Sequence, residues 1–101
     1  MLLLETVDAI QKYLSHAISE GKRIGFVPTM GALHEGHLSL IEKSKLENDL
    51  TVCSIFVNPI QFNDKKDLEN YPRDLKGDLL LLEGAMCDVL FHPSVGEMYP
   101  H

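Results

Sequence analysis

The sequence predicts an α/β fold: a parallel sheet with flanking helices. Three observations carry that expectation. Short apolar runs alternate with stretches of helical periodicity. The runs at 24–27 and 50–57 are apolar nearly throughout, as strands buried on both faces are. Glycine, proline and asparagine punctuate the joints between the two kinds of segment.

The elements follow in order. Thr6 can cap a helix over 7–19, where Val7, Ile10, Leu14 and Ile18 recur at spacings of three and four. Gly21 follows the last periodic residue and suits a helix stop. Residues 24–27 read as a strand between Lys22-Arg23 and Pro28. A turn-rich segment then runs from Pro28 to Gly36. Leu33, Leu38, Leu40, Ile41 and Leu46, set among charged residues, predict an amphipathic helix over 34–47, broken by Asn48-Asp49. Residues 50–57 are rich in β-branched and aromatic side chains and predict a central strand ended by Asn58-Pro59. The polar stretch 61–71 has no clear period and reads as a loop. Pro72 can open a helix over 73–83 that stops at Gly84. Residues 88–91 make a third strand before His92-Pro93. The order α-β-α-β-α-β implies right-handed crossovers and about half of a doubly wound sheet. Leu2 to Leu4 is too short for a secretory apolar core, and no basic segment precedes it.

Composition narrows the function. At 101 residues the chain is one domain at most. No apolar run approaches the ~20 residues that span a bilayer, so a soluble, cytoplasmic protein is expected, with no membrane partner. Nine basic residues against fifteen acidic give −6, and no basic run exists, which disfavours nucleic acid. An anion must then be held by local donors. Cys53 and Cys87 lie in apolar settings and read as small buried hydrophobes.

In open parallel sheets, ligands bind at the carboxyl ends of strands. Two segments fall there: residues 28–37 and residues 58–62. In the first, Gly31 permits unusual dihedrals and Gly36 removes a side chain. His34 and His37, three apart, share one face of the first helical turn. Backbone N–H groups near 30–34 and the two imidazoles can meet phosphate oxygens. The segment lacks the Gly-Lys-Ser/Thr ending of a phosphate loop and the spacing of a dinucleotide fingerprint. Zinc on His34 and His37 lacks a further Cys/His pair, so no metal site is expected. Two solvated histidines at a helix start remain the plainer alternative. In the second segment, Asn58 and Gln61 are neutral amides able to donate and accept at once; Asn58 as a simple turn cap stays open beside that.

The runs PTMGALHEGH (28–37), SIFVNPIQF (54–62), DLENYPRD (67–74) and FHPSVGEMYP (91–100) resemble the pantoate–β-alanine ligase family, in register across the whole chain. His-x-Gly-His alone is shared by a wider adenylyl-transferring superfamily with a Rossmann-like fold. The flanking runs are specific to the ligase. The resemblance implies a reaction in which ATP and pantoate give pantoyl adenylate, β-alanine then attacks, and magnesium accompanies the nucleotide. It implies that Met30, Gly31, His34, Gly36 and His37 bind ATP, with His34 and His37 catalytic. It implies that Gln61, Asn58, Met30, Pro28 and Thr29 bind pantoate and β-alanine. Family members are longer and carry further ATP contacts and a second small domain. The chain is therefore expected to be the N-terminal part of the nucleotide-binding domain, inactive by itself and homodimeric when full length. Two alternatives remain: a nucleotidyltransferase of the same His-x-Gly-His class, and a non-catalytic module. His16 is expected to be solvated, His92 to serve a turn, and Lys65-Lys66 to lie in an exposed loop. Nothing in the spacing of Asp67, Glu69 and Asp74 demands magnesium.

Overall fold

The computed structural model describes residues 1–100. Its sheet has four parallel strands in the order β1-β4-β3-β2: β1 Leu2–Leu4, β2 Ile24–Thr29, β3 Leu50–Ile55 and β4 Val89–Phe91. The helices are α1 Val7–Ser19, α2 Glu35–Glu47, α3 Lys65–Asn70, α4 Leu75–Gly84 and α5 Val95–Met98, with a 3-10 turn at Pro59–Gln61. None is long and apolar enough to cross a membrane.

Side-chain alternation on the central strands feeds two cores. Val27, Cys53, Ile55 and Leu90 pack with Ile41 of α2 and Leu82 of α4. Val52, Val89 and Phe91 pack with Ile10 of α1 on the opposite face. Both cysteines are free and buried, and burial pushes the Cys53 thiol up to about 12 and that of Cys87 in the same direction. They act as apolar filling, as their setting predicts.

Local chemistry explains the helix ends. The Thr6 hydroxyl accepts from Ala9 N at 3.1 Å and starts α1. Gly21, at φ +81°, ends it in the left-handed region, where a side chain would be strained. A second tie to α1 comes from far away: Glu97 Oε1 accepts from Val7 N at 2.7 Å.

The structure corrects the predicted elements in several places. Among the described residues there are four strands, and β1 precedes α1. Its three residues are too few to show alternation. Pairing defines it: Leu2 N donates to Asp88 O, and His92 N to Leu4 O. β2 continues through Pro28 to Thr29. The register explains why proline is tolerated there. Arg23 O and Thr29 O accept from β3 and the residue after it, so odd-numbered residues of β2 face that partner. Pro28 has its nitrogen on the open edge, where no ladder bond within the chain is lost. β3 ends at Ile55. The predicted loop contains the 3-10 turn and α3, a polar helix with no buried face, started by Asp64 Oδ1 accepting from Lys66 N at 2.8 Å. α4 begins at Leu75 because Asp74 caps it through Gly77 N at 3.0 Å. The left-handed residue after α4 is Met86, at φ +62°. α5, capped by Ser94, was not predicted.

Gly25 sets how closely α2 lies on the sheet. A Cβ there would run into Ser44 Oγ and Asn48 Nδ2 of α2. Ser44 Oγ in turn shares a 2.7 Å hydrogen bond with the fully buried Thr51 hydroxyl. Gly84 differs, since a Cβ there meets nothing within 4 Å. Gly25→Ala is expected to lower the unfolding free energy by about 1–3 kcal/mol through overpacking. Gly84→Ala is expected to raise it by about 0.5 kcal/mol through helix propensity. Urea denaturation followed by circular dichroism reads both.

Candidate active site

Because all strands run the same way, the segments after β2, β3 and β4 emerge on one edge of the sheet. Two adjoining cavities lie there. The first, of about 410 Å³, collects Pro28, Thr29, Met30, Asn58 and Gln61. The second, of about 380 Å³, is lined by Gly31, Arg73, Asp74, Asp78 and His92. Met30, Phe56 and Pro93 border both. The two predicted segments thus converge, except that His34 and His37 stand outside both cavities, at the start of α2.

The backbone of residues 31–36 differs from the expected cradle of free amides. Gly31 N donates to Thr29 Oγ1 at 3.2 Å, and that hydroxyl donates to Ser54 O at 2.8 Å. Ala32 N and Leu33 N donate to the two Asp78 oxygens at 3.0 and 2.8 Å. His34 N donates to His37 Nδ1 at 3.2 Å, and Gly36 N to His34 Nδ1 at 3.0 Å. His34 is the N-cap of α2, not its first helical residue. The amides from 31 to 34, and that of Gly36, already have partners.

The histidines gain what the amides lose. A ring nitrogen that accepts carries no proton, so each Nδ1 is bare and each ring bears its proton on Nε2. The centroids lie 4.2 Å apart. Both Nε2–H groups are therefore free to donate to a ligand. Gly36 makes the arrangement possible: a Cβ there would come within 2.9 Å of His34 Cε1. For His37, burial first and His34 second hold the pKa below its ordinary value, while Asp78 pulls it up.

Asn58 combines its two readings. Its Oδ1 caps the 3-10 turn through Ile60 N at 3.1 Å and also accepts from Tyr99 Oη at 2.9 Å. Asn58 also lines the first cavity. Gln61 is exposed at the rim. Arg73 donates to Tyr71 O and Leu68 O, both at 3.1 Å, and so closes the end of α3. His92 lines the second cavity beyond its turn. His16 is exposed beside Glu20 at 3.3 Å, and Lys65 and Lys66 are exposed on α3.

Asp78 and Tyr99 were missed in the sequence. Asp78 carried a usable signal: it sits on the stripe Leu75, Asp78, Leu79, Leu82, where helical spacing calls for an apolar residue. Tyr99 carried none, because its partner is far away in sequence.

Known proteins resemble the chain closely. The pantothenate synthetase of Fervidobacterium nodosum is 55% identical over 100 residues, covering 99% of this chain and 36% of that protein. That of Thermotoga neapolitana is 53% identical over the same shares. The crystal structure of pantothenate synthetase from Thermus thermophilus matches with a TM-score of 0.89 at 46% identity, over 100% of this chain and 35% of that one. The pantoate–β-alanine ligase of Francisella tularensis, solved in complex with beta-gamma ATP and beta-alanine, gives 0.87 at 47%, over 99% and 38%. The chain thus spans about a third of the length of these relatives, and it shares their Rossmann-like fold. The model of the pantoate–β-alanine ligase family matches residues 2–101, and the chain belongs to that family.

Proposed function

We propose that this chain is the N-terminal, pantoate- and ATP-binding part of an ATP-dependent ligase that joins pantoate to β-alanine. The observation that carries the reading is the first cavity, which gathers Pro28, Thr29, Met30, Asn58 and Gln61 at the strand ends beside the His34–His37 helix start. The remaining length of the family's chains supplies further nucleotide contacts and a second domain. A cytoplasmic homodimer is the expected setting of the whole protein.

The chemistry is two displacements. A pantoate carboxylate oxygen attacks the α-phosphorus of ATP and pyrophosphate leaves. The amine of β-alanine then attacks the acyl carbon and AMP leaves. Asn58 and Gln61 suit the hydroxyls and carboxylate of a hydroxy acid, since neutral amides bond both. A phosphate-bearing acceptor would call for a free guanidinium, and Arg73 is engaged with carbonyls. That favours the ligase over a nucleotidyltransferase. The Nε2–H groups of His34 and His37 donate to phosphate oxygens as neutral imidazoles and stabilise charge that develops there. In this reading His37 is a hydrogen-bond donor in its uncharged form.

Among the described residues, no three His, Cys, Asp or Glu side chains form a metal cage. Asp74 and Asp78 accept backbone N–H bonds. The residues present do not build a magnesium site of their own, and magnesium belongs to this reading only as the ion that ATP brings with it.

Three outcomes test the proposal. In ¹H–¹⁵N spectra, pantoate should shift Met30 and Gln61, and ATP should shift His34, Gly36 and His37; indifference to pantoate with a response to a phosphorylated acceptor would favour the nucleotidyltransferase. The purified chain should form no pantothenate from ATP, pantoate and β-alanine. Substantial ATP-dependent product would refute the assignment of essential contacts to the rest of the family's chain. Finally, because the folded pKa of His37 lies below its unfolded value of 6.5, the unfolded chain binds the proton more readily. Its contribution to stability is full above about pH 6.5 and lost as pH falls through the folded value. The urea midpoint should fall from about pH 7 to about pH 5, and His37→Asn should flatten that slope.

A further inference from the structure

We infer that Asp78, on α4, is a positioning residue that holds the β2–α2 loop in the shape that presents the Nε2–H groups of His34 and His37. The inference rests on the reading of that loop as the nucleotide end of the site. Asp78 is only 4% exposed. Among the described residues no cation pairs with it, since the four ion pairs present involve other groups. Its charge is met by the consecutive N–H groups of Ala32 and Leu33, one on each oxygen, at 3.0 and 2.8 Å. A buried carboxylate without a cation is costly unless its hydrogen bonds are well made, and these two bonds meet that cost.

The backbone it grips is strained. Gly31 has φ +84° and Ala32 has φ +52°. A non-glycine residue persists there only when its surroundings over-determine the conformation. Thr29 Oγ1 fixes the loop from below through Gly31 N, and Asp78 fixes the next two residues. Leu33, 9% exposed, is thereby seated in the core. The next residue is His34, whose N–H aims at His37 Nδ1 and whose own Nδ1 takes Gly36 N. The path from Asp78 to the imidazoles is thus continuous: carboxylate, two amides, an anchored leucine, then the paired rings. Both Asp78 oxygens are engaged by the loop. It acts through the loop.

The test uses isotope-labelled chain and reads ring tautomers rather than stability alone. In the wild type, long-range ¹H–¹⁵N spectra should show single Nε2–H tautomers for His34 and His37. Couplings across hydrogen bonds should link Ala32 N and Leu33 N to the Asp78 carboxylate carbon. Asp78→Asn sets an amide donor against one of those N–H groups. It should mix the tautomers, raise amide exchange at Ala32 and Leu33 at least tenfold, and weaken ATP-induced shifts at both rings. Gly31→Ala strains the same loop from the other side, since a Cβ would sit 3.2 Å from Asp78 Oδ2, and it should reproduce the effect. Absent wild-type couplings, or unchanged tautomers and exchange in either folded variant, would overturn the inference. If ATP shifts neither ring in the wild type while Asp78→Asn still mixes the tautomers, the functional reading fails and the positioning role stands.

Discussion

Parallel pairing of every strand is the constraint from which the rest of this structure follows. It sends each strand's exit to the same edge, and that edge receives the β2–α2 loop, the Asn58 turn and the His92 segment together. It also requires helices on both faces, which fixes where the two cores lie. Close seating of α2 on β2 depends on Gly25 having no side chain, and the loop that joins them can then be tight enough to need positive φ at two successive residues.

That tightness changes how an anion would be recognised. A helix start is commonly an anion site because its first amides lack partners. Here the loop amides of Gly31, Ala32 and Leu33 are claimed by Thr29 and Asp78, and those of His34 and Gly36 at the helix start by the two histidines. The donors that face outward are ring N–H groups, fixed in direction because each Nδ1 is occupied. Under the proposed reading, a net charge of −6 is then no obstacle to ATP. Two aimed dipoles at one spot serve where bulk positive charge is lacking.

Legibility in the sequence followed the range of the interactions. Helices α1, α2 and α4 and strands β2, β3 and β4 have local signatures in apolar period, caps and glycines, and they lay close to where the sequence placed them. β1 has no signature of its own because Leu2–Leu4 becomes a strand only by pairing with β4. α3 is polar and α5 has only four residues; both are held by their Asp64 and Ser94 caps, and period alone does not reveal them. The site was legible as two motifs at strand ends. What period and spacing could not show was which donors were already engaged, since Asp78 lies 45 residues beyond Leu33 in sequence and Tyr99 lies 41 beyond Asn58.

The bond from Val7 N to Glu97, across 90 positions, has a consequence for the order of events on the ribosome. β2, α2 and β3 are consecutive and can pair as soon as they emerge. β1 must wait for β4, and α1 must wait for the residue that completes its cap. β1 is thus secured only after β4 has emerged, and until then its three leucines remain unpaired and open to chaperones or to a neighbouring nascent chain.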